Sequence, residues 1–138
     1  MPLERGKLYE FFEHYLERNL SVPIIVEGDN DIRSLRSLGF PGEIIKLNSG
    51  MSLMAFSESI SRSYREIIIL TDMDRKGIML KNSLTDFLVS LGTRVDSGFW
   101  HLASRWLRIK SVEDLPSALD RIAAPGIIPA QTKRHARY

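Results

Sequence analysis

Cysteine is absent from this 138-residue chain, which excludes a disulfide framework and any zinc site that needs cysteine ligands. The three histidines, His14, His101 and His135, are scattered and form no ligand-like cluster. No apolar run approaches the ~20 residues of a membrane-spanning helix, and the N-terminus lacks the apolar region of a signal peptide. We therefore expect a cytoplasmic protein that does not enter a membrane.

Excess positive charge is confined to the C-terminus. The formal net charge is +2, and without Lys133, Arg134 and Arg137 the acids would slightly outnumber the bases. The basic tail formed by residues 131–138 could contact nucleic acid, although short basic ends are more often simply solvated.

Short apolar runs alternate with helical patterns along the chain. The runs predict strands at 22–27, 43–47, 66–70 and 93–95. Helical spacing predicts helices at 4–20, 31–38, 51–62, 76–91 and 98–108, and an extended piece followed by a helix within 109–122. Continuously apolar strands are typical of a parallel sheet that helices cover on both faces. The sequence therefore predicts an α/β fold, with about four parallel strands flanked by helices.

The same spacing predicts which side chains face the core. It directs Phe11 and Phe12 of the first helix inward, together with Leu91 near the end of the fourth. Trp106 is also expected to face inward, whereas Trp100 lies off the apolar face of its helix. Either tryptophan could instead stack on a nucleic-acid base.

Acidic residues follow two of the predicted strands at the point where each strand ends. Glu27 closes the first, and Asp72 and Asp74 follow the third. Because crevices in open parallel sheets lie beyond the carboxyl ends of the strands, we expect these acids to converge. Carboxylate oxygens suit Mg²⁺, which typically takes one or two carboxylates and keeps several waters. The alternatives are a helix cap at Asp74 and a salt bridge at Glu27.

Glycine and basic residues accompany the acids. Gly77 would let the backbone turn tightly into the following helix, and Gly28 would allow a ligand to approach the backbone closely. Arg75 and Lys76 lie between the acids and that helix, so they are the bases best placed to contact a phosphate.

Two motifs resemble those of the Toprim family. The segment IIVEGDND, residues 24–31, is similar to the pattern h-h-h-E-G-x-x-D, and ILTDMDRKG, residues 69–77, to h-h-x-D-x-D-x-x-G. The family provides the catalytic domain of topoisomerases, bacterial-type primases, overcoming-lysogenization-defect nucleases and the ribonuclease that matures bacterial 5S ribosomal RNA. The resemblance covers roughly residues 20–103. The compact length and the segment 99–116 most resemble small, stand-alone, primase-like Toprim proteins of archaea.

The resemblance implies a role for each matching residue. Glu27 would be a metal ligand or a general acid or base in phosphoryl transfer, and Asp72 and Asp74 would hold Mg²⁺, with Mn²⁺ as a possible substitute. Asp31 matches the trailing acid of the first motif and is expected to be structural, like the turn residues Gly28 and Gly77. The chain departs from some topoisomerases at Lys76, where they carry a third acid.

We divide the chain into an N-terminal helix (1–20), a Toprim domain (21–103), a C-terminal helical extension (104–130) and the basic tail (131–138). This length holds no gate domain, and the lack of cysteine excludes the zinc module of a standard primase. The resemblance implies Mg²⁺-dependent phosphoryl transfer on RNA or DNA, most simply by a small nuclease. The alternative is a non-catalytic nucleic-acid-binding or adaptor module that keeps a structural ion.

Overall fold

The computed structural model describes residues 4–122. The predicted tail 131–138 and the last part of the predicted extension lie outside that range. The strands are β1 (Ile24–Val26), β2 (Ile44–Lys46), β3 (Glu66–Ile69) and β4 (Arg94–Asp96). The helices are α1 (Arg5–Arg18), α2 (Asp29–Ser37), α3 (Leu53–Ser63), α4 (Arg75–Ser90), α5 (Gly98–His101) and α6 (Leu115–Ile122). A π-helical turn (Leu102–Trp106) continues α5, and a 3-10 turn (Val112–Asp114) precedes α6. Within the described range, no helix combines the length and apolar character needed to cross a membrane.

The four strands form one parallel sheet in the order β2-β1-β3-β4. Ile24 of β1 lies between Ile44 of β2 and Ile68 of β3. The predicted α/β fold with a parallel sheet is confirmed. After β1 the chain forms β2 on one side of β1, and it then crosses back to form β3 on the other side of β1. The gap between the carboxyl ends of β1 and β3 is therefore the topological switch point, where ligands bind in such sheets.

Helices cover both faces of the sheet, and the alternation of side chains along each strand divides the core in two. Ile67 and Ile69 of β3 pack with residues of α3 and α4, such as Phe56 and Leu84. Ile68 points the other way, into a larger cluster supplied by α1, α2, α5 and α6. Full burial of these strand residues explains why the strands read as continuous apolar runs.

Local signals set several helix ends. The Ser52 hydroxyl caps α3 by accepting a hydrogen bond from the Ala55 N–H at 3.1 Å. Gly39 and Gly92 follow α2 and α4 with φ angles of 94° and 89°. Such left-handed backbone is the usual conformation just beyond a helix end, and it favours glycine.

Four side-chain orientations correct the predictions. Phe11 is 47% exposed because α1 buries only the narrower stripe on which Phe12 lies, and Leu91 is 43% exposed because it follows the last residue of α4. Trp100 is buried at 6% exposure, whereas Trp106 is only half-buried. The π-helical turn accounts for Trp106, since a wider turn displaces the side chains at its end from the 3.6-residue spacing that predicted the inward face.

Candidate metal centre at the carboxyl edge of the sheet

Glu27 and Asp72 meet at the switch point between β1 and β3. The main-chain N–H of Asp72 donates a hydrogen bond to Glu27 Oε2 at 2.8 Å. This contact joins residues 45 positions apart in the sequence. The structure therefore brings together two of the acids that the strand ends predict to converge.

The Asp72 side chain is held from the other side by a segment that sequence reasoning missed. The Val112 N–H donates a hydrogen bond to Asp72 Oδ1 at 2.9 Å. Met73, which follows Asp72 in the chain, donates its N–H to the Lys110 carbonyl at 2.8 Å. Residues 110–112 thus lie along the backbone of Asp72 and Met73. Nothing in their composition signals this role, because both hydrogen bonds on this segment come from main-chain groups.

Asp74 performs the capping role that was the alternative interpretation of this residue. Its Oδ1 accepts a hydrogen bond from the Gly77 N–H at 2.7 Å, at the start of α4. In each of Glu27, Asp72 and Asp74, the second carboxylate oxygen takes no part in the hydrogen bonds within residues 4–122. Asp74 can therefore cap α4 with one carboxylate oxygen and leave the other oxygen available to a metal ion.

Gly77 allows the first turn of α4 to approach Asp72 closely. A Cβ atom at position 77 would lie 1.8 Å from the Asp72 carbonyl oxygen, a distance that no side chain can accept. The buried Thr71 hydroxyl fixes the same turn by donating to the Gly77 carbonyl at 2.7 Å. The requirement for glycine at position 77 is thus steric.

Gly28 and Asp31 form the start of α2. Asp31 is 5% exposed, and its Oδ2 accepts a hydrogen bond from the Gly28 N–H at 3.1 Å. Gly28 itself has extended backbone with a φ of −152°, and a Cβ atom there would meet nothing within 4 Å. The fold therefore does not require glycine at position 28. The lack of a side chain there leaves open space beside Glu27.

Burial and neighbouring acids change the pKa of Glu27. Burial raises the pKa of Glu27, and the negative charges of Asp72 and Asp74 raise it further. The hydrogen bond from the Asp72 N–H and the positive charge of Lys76 act in the opposite direction. Glu27 therefore binds a proton more readily than an ordinary glutamate, as a general acid or base requires.

Asp31 belongs to the same electrostatic cluster. Burial is the main cause that raises its pKa to about 6, and the charges of Asp72, Glu27 and Glu113 contribute as well, against the hydrogen bond from Gly28. Because these charges repel, a cation placed among them would lower the electrostatic energy of the folded protein.

Arg75 and Lys76 are both exposed in the first turn of α4. Lys76 lies near enough to lower the pKa of Glu27, so this ammonium group borders the acids. The structure thus places positive charge at the rim of the site, on the helix that follows Asp74.

The residues fit a hard divalent cation. Within residues 4–122, no three Asp, Glu, His or Cys side chains are arranged as a ready set of metal ligands. Mg²⁺ does not require such a set, because one or two carboxylates, several waters and substrate phosphate oxygens usually complete its shell. The available donors are all oxygens, and these suit Mg²⁺ or Mn²⁺ better than softer metals.

Comparison with known proteins places these residues in a wider group. The profile of the Toprim domain matches residues 22–97, which include Glu27, Asp72 and Asp74. A UPF0292 protein of Thermoplasma volcanium is 48% identical over 107 residues, covering 78% of this chain and 90% of that protein. A UPF0292 protein of Pyrococcus horikoshii is 39% identical over 125 residues, covering 89% and 92%.

A solved structure of a protein from Aquifex aeolicus superposes with a TM-score of 0.68 at 25% identity, and the match covers 78% of this chain and 96% of that one. The resemblance to small archaeal Toprim proteins is confirmed. Toprim domains typically bind divalent metal ions, and the family generally binds nucleic acids.

The two glycines of the site should differ sharply in their effect on stability. Gly77→Ala should lower the free energy of unfolding by more than about 2 kcal/mol, because the new Cβ collides with the Asp72 carbonyl. Gly28→Ala should leave it unchanged or raise it by up to about 1 kcal/mol. Urea unfolding in the presence of a chelator measures both. Equal losses in the two variants would show that the close approach at Gly77 is not a constraint.

Asp31 should make the protein less stable as the pH rises. Its folded-state pKa of about 6 exceeds the ordinary value of 3.8, so the folded protein binds the proton more tightly than the unfolded chain does. The resulting stabilisation is complete below about pH 4 and is lost as the pH rises through about 6. Asp31→Asn cannot ionise and still accepts the Gly28 hydrogen bond. It should therefore raise the free energy of unfolding at pH 7 by about 1–2 kcal/mol, a value reduced by solvent screening.

Urea unfolding between pH 4 and 8, with a chelator present, checks this. Asp29→Asn is the matched control, because Asp29 lies on the same helix and forms an exposed ion pair with Lys46. A pH profile of Asp31→Asn that overlays the wild-type profile would contradict the assignment.

Proposed function

Because this chain belongs to the Toprim domain family, we propose that it is a small Mg²⁺-dependent nuclease that hydrolyses phosphodiester bonds in RNA or DNA. The observation that carries the proposal is the junction of Glu27 and Asp72 at the switch point of the sheet. Asp74 follows on the same loop, and bases lie on the adjoining helix. Acids for an ion and cations for phosphate thus occur at one edge of the fold.

Asp72 and Asp74 are the proposed ligands of Mg²⁺. Hydrogen bonds from Val112 and Gly77 fix one oxygen of each carboxylate and so hold the other in a defined position. Mg²⁺ bound there would supply Lewis-acid stabilisation of the charge that develops on the phosphate. Prior fixation of the carboxylates matters, because it avoids reorganisation during the reaction.

Glu27 is the proposed general acid or base, or a further ligand. It is half-buried and its pKa is raised above the ordinary glutamate value, so its free oxygen takes up a proton more readily than an exposed glutamate does. The Asp72 N–H holds its other oxygen and therefore fixes the direction of the carboxylate. Arg75 and Lys76 would bind phosphate oxygens at the rim and position the strand.

A non-catalytic module that binds nucleic acid around a structural ion is the second candidate. One observation favours it: Asp74 already caps α4, a role that needs no catalysis. The cytoplasmic location and a contact between residues 131–138 and nucleic acid stay predictions in both cases.

Glu27→Gln should separate catalysis from folding and binding. Glutamine keeps an oxygen for the Asp72 N–H, so the fold should persist, but it can neither exchange a proton nor carry charge. We expect cleavage to fall by about 100-fold or more, with nucleic-acid affinity changed by less than about twofold. Product analysis on single-stranded, duplex and structured RNA and DNA with Mg²⁺ or Mn²⁺ measures cleavage, and fluorescence anisotropy measures affinity.

Glu58→Gln, on the exposed face of α3, is the matched control and should cleave as the wild type does. If the wild-type chain binds these substrates but yields no metal-dependent product, the nuclease proposal fails and the binding module replaces it.

A further inference from the structure

A groove runs between α3 and α4 beside the acidic site. Its volume is about 420 Å³, and it is lined by Leu53, Arg75, Lys76, Met79, Leu80 and Ser83. Leu53 is the first residue of α3, and Arg75 is the first residue of α4. Both helices begin after strands that end at the carboxyl edge, so the groove opens at the same edge as the acids.

The groove and its surroundings expose apolar side chains. Met79 is 63% exposed within the groove, and Met51 and Met54, near the start of α3, are 37% and 53% exposed. Methionine is flexible and polarisable, and its sulfur makes favourable contacts with aromatic rings. Such side chains suit a flat aromatic ligand that arrives from solution.

The rim of the groove is positively charged. Arg75 and Lys76 line it, whereas no acidic side chain among residues 4–122 does. Lys76 also lies near enough to Glu27 to lower its pKa, so this edge of the groove borders the proposed metal centre. Apolar walls with cations at the mouth match a nucleotide, which presents an aromatic base flanked by phosphates. An apolar peptide segment would leave the two cations without a counterpart.

We propose that the α3–α4 groove binds the base of an unpaired nucleotide while the neighbouring phosphate lies at the acids, so that the protein selects single-stranded nucleic acid. This inference rests on the proposed function. In a duplex, the faces of a base are covered by stacking and its edge is paired, so only an unpaired base can enter the groove.

The test compares two exposed apolar residues of the same helix. Met79 lies in the groove, and Val89, 58% exposed, lies outside it. The full chain, with Ca²⁺ in place of Mg²⁺ so that the acids keep a cation while cleavage is suppressed, is titrated into three labelled probes and followed by fluorescence anisotropy. These are a single strand of about 12 nucleotides, a fully abasic strand of the same length, and a duplex.

Wild type and Val89→Ser should bind the intact strand about fivefold more tightly than the abasic strand or the duplex. Met79→Ser should bind all three probes with nearly equal affinity, because it loses the contact with the base and keeps the phosphate contacts. Unfolding measurements on both variants establish that each is folded.

The groove assignment would be overturned if Met79→Ser preferred the intact strand over the abasic strand by the same factor as the wild type does. It would also be overturned if the wild type bound the duplex more tightly than the intact single strand. Because binding is measured without cleavage, that result would leave the nuclease proposal standing. Base-dependent binding through Met79, without metal-dependent cleavage by the wild type, would support the groove and overturn the nuclease.

Discussion

The hydrogen bond from the Asp72 N–H to the Glu27 carboxylate ties together the ends of the two central strands, and the site is built around it. The register of β1 with β3, in which Ile25 lies opposite Ile69, brings these residues together. Around the same point, Gly77 lets α4 approach the Asp72 carbonyl, and the Val112 N–H holds the Asp72 side chain. Asp72 is thus held through its amide and its carboxylate by two separate parts of the chain, and Gly77 packs closely against its carbonyl.

The acids of this fold differ in whether a basic side chain compensates their charge. Glu66 and Asp96 form ion pairs with Arg18, which compensates their charge. Glu27 and Asp72, in contrast, form no ion pair within residues 4–122, and main-chain N–H groups orient them without neutralising them. Uncompensated charge lowers stability, and proteins commonly accept that cost where function needs it. A divalent cation would relieve the repulsion, so ion binding and folding should be coupled through these residues.

Sequence patterns predict the parts of this architecture that depend on local signals and on the geometry of parallel sheets. The apolar run of β3 predicts a buried strand, and the shared edge of parallel strands predicts the approach of Glu27 to Asp72. The contact between Val112 and Asp72 could not be predicted, because it joins main-chain and side-chain atoms 40 residues apart. The partial exposure of Trp106 has a different reason, since the π-helical turn breaks the periodicity on which its prediction relies. Gly77 was predicted as a turn residue, but its steric reason emerges only when α4 is placed against Asp72.

Calorimetric titration with Mn²⁺ measures whether the acids at this edge of the sheet bind a divalent ion. Asp72→Asn and Asp74→Asn should each weaken binding by about tenfold or more, because each removes a charged oxygen ligand. Asparagine at position 74 can still cap α4, so that variant should fold. Asp86→Asn, exposed on α4 away from the acids, should bind Mn²⁺ as the wild type does. Unchanged Mn²⁺ binding in both Asp72→Asn and Asp74→Asn would show that these two carboxylates do not bind the ion.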